Sequence, residues 1–192
     1  AQYCAELELA QYRNQLEHLV DQRTRELNTQ VVERTKAEKQ MSHQKKIISV
    51  NNRIAQVFLT SRPEDVFADI LMILLQTFDA PRGFFGYILP SGDLACPFQT
   101  CPIWPDGPDQ PGDIIYRQAD WSSIWKTALT QQSIEFKNDP VPAFSQGNRL
   151  ATGLAAPLIV EQKTIGLVGL AEKKNFSRPE VDEMHQICEF IS

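Results

Sequence analysis

Gln11 to Leu59 contains neither glycine nor proline, and no other feature of the chain restricts its fold as much. Close to fifty residues without a backbone breaker read as one long helix. From Leu27 onward the seam advances in alternating steps of four and three: Leu27, Val31, Arg34, Glu38, Met41, Lys45, Ile48, Asn52, Ala55 and Leu59. This is the a/d pattern of a coiled coil, with polar residues at Arg34, Glu38, Lys45 and Asn52. Upstream, Leu16 and Leu19 fit one register and Val20 another, and a stutter between Leu19 and Thr24 reconciles them. A single copy cannot bury such a stripe. The expected partner is a second copy, parallel and side by side, with Leu16, Val20, Leu27, Val31, Met41, Ile48 and Ala55 along the dimer seam. So many polar seam positions make the pairing weak.

The two parts of the chain differ in charge. Residues 1–60 carry nine Lys/Arg against seven Asp/Glu, a net of +2. Residues 61–192 carry ten against seventeen, a net of −7. An acidic globular part excludes nucleic acid as its expected partner, because phosphate contacts need clustered cations. No apolar run approaches the ~20 residues needed to span a bilayer, so no membrane insertion is expected of this stretch. The four cysteines, Cys4, Cys96, Cys101 and Cys188, are spread out. Cys96 and Cys101 alone are close, and without a nearby histidine they make a poor metal site. Reduced thiols in a cytoplasmic setting are expected. Both ends read as cuts through a longer protein, and whether that protein is membrane-anchored stays open.

Beyond the helix the pattern is α+β. Arg62-Pro63-Glu64-Asp65 breaks the helix, with Ser61 or the following carboxylates available as caps, and Glu64–Phe78 has helical spacing. Gly83–Leu89 reads as a strand apolar on both faces, Pro90-Ser91-Gly92-Asp93 as a hairpin turn, and Leu94–Gln99 as the returning strand. Thr100–Gln118 is proline-studded and reads as a long loop. Asp120 is the expected cap of a helix over Trp121–Gln131; Ser133–Lys137 is a short strand and Asn138–Leu150 a second loop. Gly153–Val160 and Thr164–Ala171 form a hairpin, and Ser177 with Glu180 forms a capping box opening a helix over Val181–Ile191.

Two resemblances follow. Leu19-Val20, Arg23-Thr24, Glu26-Leu27, then Glu33-Arg34 and Ala37-Glu38, resemble the signalling helices of bacterial sensor histidine kinases and diguanylate cyclases. Ala155-Ala156-Pro157-Leu158, then Thr164 to Leu170, then Phe176 to Asp182, resemble the closing motifs of the GAF domain, over about residues 45–192. With the long N-terminal coiled-coil helix read above, the second resemblance implies an α+β arrangement in which a PAS-like domain follows, a central antiparallel sheet flanked by helices. The boundary is expected between 1–46 and 47–192, with the first domain helix continuous with the rod. One face of the sheet then packs on the first and last helices, and loops and short helices roof the other. Strand alternation and roof position make Phe85, Tyr87, Trp104, Tyr116, Trp121 and Trp125 the candidates for lining a small-molecule pocket, unless they merely fill it.

The implied role is a non-catalytic sensory and dimerisation module, most readily of a histidine kinase, with pairing through the first and last helices. A ligand-free scaffold and a module of a diguanylate cyclase are the alternatives. No cofactor is specified: Lys173-Lys174-Asn175-Phe176 is not the family's cyclic-nucleotide motif, and Cys96 and Cys101 are each followed by proline where bilin-attaching members often have histidine. His43 lacks the surroundings of a phosphoacceptor. Cys96 with Cys101 remains a candidate redox pair, and a remote kinship to free methionine-sulfoxide reductases would require both to converge on a pocket.

Overall fold

The computed structural model describes residues 2–100, 114–121, 123–142 and 149–192, without the side chains of residues 2–11, Asp120 and Ser123. The chain divides into two compact units, Ala1–Lys46 and Ile47–Ser192. Helix α1 covers Gln2–Thr60, as the absence of breakers requires. In the first unit its described apolar side chains stay exposed: Leu16 at 60%, Leu27 at 59% and Val31 at 61%. The helix surface there is laced by ion pairs Arg13–Glu17, Arg23–Glu26 and Arg34–Glu38 at three- and four-residue offsets.

In the second unit the same helix turns one stripe inward. Ile47, Val50 and Ile54 are buried, and Ile48, Phe58 and Leu59 are exposed. Arg62 and Pro63 follow its end, and α2 spans Val66–Phe78. Asp65 occupies the N-cap position of α2 but makes no side-chain cap bond. Ser61 instead donates to the Asp69 carboxylate at 2.5 Å, which fastens the turn to the first turn of α2.

The strands are β1 Arg82–Ile88, β2 Leu94–Gln99, β3 Ile114–Tyr116, β4 Glu135–Lys137, β5 Val141–Pro142, β6 Arg149–Leu150, β7 Gly153–Val160 and β8 Lys163–Ala171. Six form an antiparallel sheet in the order β3-β2-β1-β8-β7-β4, and β5-β6 form a separate ribbon. The long hairpin β7-β8 turns through Glu161 and Gln162, both with positive φ (49° and 63°). Two stretches expected to be loops therefore contain strands. Ile114–Tyr116 lies at the open edge of the sheet, where pairing on one side only is required, and β5 with its proline belongs to a ribbon of two-residue strands. Between Phe85 and Tyr87 the register shifts, so that β2 carries an extra residue at Cys96–Pro97. Pro97 has no N–H to give the ladder, and the bulge absorbs it.

Helix α3 covers Ser123–Gln131, later than expected. Gln118–Asp120 forms a 3-10 turn, and Trp121 is extended (φ −67°, ψ 129°) rather than helical. Asp120 is thus part of that turn and not the cap of α3. Helix α4 covers Arg178–Ile191 and opens on the expected capping box, Ser177 with Glu180. One core layer lies between the sheet and α1, α2 and α4, around Ile54, Leu74, Phe85, Val168, Met184 and Ile187. The second lies between the sheet and α3, around Phe84, Leu94, Trp125, Ala128, Leu150 and Leu167.

Candidate functional site

The roofed face is where the sequence places a pocket. Its floor is made by Phe84 of β1, Leu94 and Cys96 of β2, Ala155 of β7 and Leu167 of β8. Phe84 pairs across the ladder with Gly169, and its ring lies over that glycine. Trp125 of α3 comes down on Phe84 edge-on, ring centroids 5.3 Å apart at 61°. α3 approaches closely because β7 starts with Gly153, where a Cβ would stand 2.9 Å from both Ile124 and Val141. The roof is fastened by indole donors: Trp125 Nε1 to the Pro142 carbonyl at 3.0 Å and Trp121 Nε1 to the Tyr116 carbonyl at 3.3 Å. Tyr116 donates its hydroxyl to the Gln99 side chain at 3.2 Å. Burial, reinforced by the neighbouring Cys96 thiol, pushes the Tyr116 phenol well above its ordinary range.

The six pocket candidates therefore separate. Tyr116, Trp121 and Trp125 meet on the roofed face, where they pack into the core as filling. Phe85 and Tyr87 point to the opposite face, and Phe67 of α2 packs on both at 5.1 and 6.0 Å. They are not part of a roofed cavity with the tryptophans. The strand residue that does face Trp125 is Phe84, one position earlier. Trp104 and Cys101 lie outside the described residues, so the proposed pairing of Cys96 with Cys101 does too. Cys96 is buried in the floor of the roofed core. Among the described residues, no three His, Cys, Asp or Glu side chains gather as metal ligands. No helix among them is long and apolar enough to cross a membrane.

Two of the concavities among the described residues lie on the helix side and at the end of the sheet. On the helix side, an apolar notch of about 220 Å³ opens beside Phe58, Phe67, Tyr87, Ile165 and Ile191. It exists because Gly166 stands directly between Tyr87 and Leu158 on that face and contributes no side chain. At the end of the sheet, a more polar cleft of about 540 Å³ runs along Asp79–Pro81 and Glu172–Asn175. Beside it Lys173 donates to the Phe78 carbonyl at 2.6 Å and forms an ion pair with Glu180. Burial opposes charge on Glu180, but hydrogen bonds from Lys173 and Ser177 outweigh it and hold the carboxyl below its ordinary range. Thr152 donates to the Lys173 carbonyl at 2.5 Å, and Asn138 clamps the backbone of Phe176 from both sides. None of these polar groups was a candidate from sequence; the capping box alone pointed to this region.

The GAF domain family model matches residues 62–192. The chain belongs to that family, a class of sensory and regulatory modules. No curated protein matches the sequence. Among solved structures, the GAF domain of a phosphoenolpyruvate-protein phosphotransferase from Coxiella burnetii is similar at a TM-score of 0.60 and 12% identity, over 75% of this chain and 89% of that one. The phycocyanobilin-bound GAF domain of a cyanobacterial phytochrome is similar at 0.56 and 15%, over 76% and 91%. The free methionine-R-sulfoxide reductase of Neisseria meningitidis, in complex with its substrate, is similar at 0.56 and 13%, over 78% and 85%. Identities this low establish a shared fold and nothing finer.

Proposed function

We propose that this chain is the non-catalytic sensory and dimerisation segment of a cytoplasmic signalling assembly, with a sensor histidine kinase as the output and a diguanylate cyclase as the alternative output. Two copies pair in parallel along α1 and α4. The domain then biases the angle or register of its first and last helices, and paired helices carry that bias onward. The observation that carries this reading is the exposed apolar stripe of α1, with Leu16, Val20, Leu27 and Val31 all about 60% exposed. Apolar side chains left in water at heptad spacing are stabilised by a second helix and by little else.

The test is a single-cysteine crosslink. Val31→Cys in a background without the native cysteines should form a same-residue disulfide in a parallel, in-register dimer. A protein that sediments as a monomer at every concentration, or that crosslinks only to distant positions, would sink the reading. A two- or three-residue insertion near Thr60 in the full-length protein should change output, whereas a seven-residue insertion should not.

A second reading has its own observation. The described roofed core is closed by Phe84, Trp125 and Leu150, which favours a ligand-free spacer over a small-molecule sensor. Native mass spectrometry of freshly purified protein separates the two: retained small-molecule mass supports sensing, and bare chain mass supports the spacer.

A further inference from the structure

We infer that the loop Glu172–Ser177 is a relay, and that Asn138 and Thr152 are the positioning residues through which the roof sets the position of α4. The inference rests on the signalling reading above and adds the route. The roof segment leaves β4 at Lys137 and re-enters the sheet at Gly153. Both of its ends are bonded to one short loop. At the first end, the Asn138 amide donates to the Phe176 carbonyl at 3.0 Å and its oxygen accepts from the Phe176 N–H at 2.6 Å. That two-point clamp fixes the backbone one residue before the N-cap of α4. At the other end, the Ala151 N–H donates to the Glu172 carboxylate at 3.0 Å. The Thr152 hydroxyl donates to the Lys173 carbonyl at 2.5 Å, and the Glu172 N–H donates to the Thr152 carbonyl at 3.3 Å.

The roof side of this connection is equally specific. Trp125 of α3 donates to the Pro142 carbonyl of β5, and β5 pairs with β6 through Val141–Leu150 and Pro142–Arg149. β6 runs straight into Ala151 and Thr152. A shift of α3 is therefore carried through a two-stranded ribbon to the loop. On the output side, Lys173 joins the last carbonyl of α2 to Glu180 in the first turn of α4. Glu180 in turn accepts from the Ser177 N–H at 2.9 Å and the Ser177 hydroxyl at 2.7 Å. Phe176 is buried in the helix-side core together with Met184 and Ile187 of α4. The loop also contains Glu172 at φ 64°, a conformation uncommon for a non-glycine residue. Releasing Asn138 or Thr152 frees the Phe176 backbone or the Lys173 carbonyl, the bonds that tie the start of α4 to the roof. A contiguous hydrogen-bonded path thus joins two packed elements on opposite faces of the sheet.

The experiment is amide hydrogen exchange, read by mass spectrometry on the whole chain, in a four-protein cycle. Trp125→Phe keeps an aromatic ring on Phe84 and deletes the donor to Pro142. The loss of one ordinary hydrogen bond should speed exchange in the first turns of α4 by about fivefold. Val168 and Leu170 in the centre of β8 report global stability, and the shift in α4 is read in excess of theirs. In an Asn138→Asp, Thr152→Val background, which removes the clamp donor and the hydroxyl, adding Trp125→Phe should shift α4 by less than about twofold. Three results would overturn the relay: α4 unchanged while β5 and β6 loosen, an equal shift in both backgrounds, or α4 and β8 shifting together. If Trp125→Phe does not fold, Val141→Ala in β5 replaces it in the same cycle. The outcome is independent of sensing. A relay that responds in a protein holding no ligand leaves the relay standing and removes the sensor; a ligand-bearing protein whose α4 ignores the roof does the reverse.

Discussion

Gly169→Ala should unseat the centre of the roofed core. A Cβ built on Gly169 would lie 2.5 Å from Phe84 Cζ and 2.7 Å from Cδ1, and closer still to Cε1. Carbon atoms prefer separations of about 3.5–4.0 Å, so the ring must recede by roughly 1 Å or more. Phe84 has nowhere to go. It is fully buried, and Trp125, also fully buried, meets it edge-on at 5.3 Å and is itself held by the Pro142 carbonyl. Overpacking of this kind costs about 1–3 kcal/mol, and complete eviction of the ring would cost about 3–5 kcal/mol. Against this, alanine in a strand interior gains roughly 0.5–1 kcal/mol over glycine. At the upper end of the overpacking range the net expected loss is about 2 kcal/mol, read by urea unfolding with the near-ultraviolet tryptophan signal as a second probe. In a Phe84→Leu background the same substitution should cost less than about 1 kcal/mol, because the clashing ring atoms are gone. An equal cost in both backgrounds, or a stable Gly169→Ala with an unchanged tryptophan signal, would refute the account of Phe84 as the filler of this face.

Other expectations follow from the same structure. Replacing Glu161-Gln162 by Asn-Gly should stabilise the domain by about 1 kcal/mol, because both positions hold positive φ that Asn and Gly adopt at less cost; thermal unfolding checks it, and a lower midpoint would count against the turn assignment. Lys173→Met should destabilise by about 2 kcal/mol, since it leaves the Phe78 carbonyl and the partly buried Glu180 short of a donor. The Glu180 contribution is complete above the ordinary carboxyl value of 4.5 and is lost as pH falls below it, because the folded-state value is lowered. Unfolding measured from pH 7 downward should therefore show a smaller acid-dependent loss in Lys173→Met than in the parent. Cys188 should resist thiol reagents until the domain unfolds: burial pushes its thiol up to about 12, and it lies on the core-facing side of α4. Labelling at the native-state rate of an exposed thiol would contradict that placement.

The site was legible only in part, and β1 shows why. Gly83-Phe84-Phe85-Gly86-Tyr87-Ile88 is apolar or aromatic on both faces, so alternation tells which residues share a face but not which face meets which layer. Phe85 and Tyr87 do share a face, yet it is the one covered by α2 and not by α3. The bulge at Cys96–Pro97 adds to this, because one extra residue in β2 puts Cys96 and Phe98 on opposite faces. Trp121 read as helical because its spacing from Trp125 is helical, and a 3-10 turn followed by an extended residue delivers the same buried ring from outside α3.

What the residues alone determined were features that depend on neighbours in the chain. These are the uninterrupted helix to Thr60, the break at Arg62-Pro63, the β7-β8 hairpin, and the Ser177–Glu180 capping box. Each follows from propensity, ring geometry or a hydrogen bond spanning a few residues. The tertiary structure decided everything that depends on residues far apart meeting. It set Phe84 against Gly169 and Trp125, turned Ile47, Val50 and Ile54 inward while leaving Ile48 and Leu59 exposed, and brought Asn138, Thr152 and Lys173 together at the start of α4. Those meetings are settled by volume and by hydrogen-bond partners across separations of tens of residues, and no local pattern in the chain encodes them.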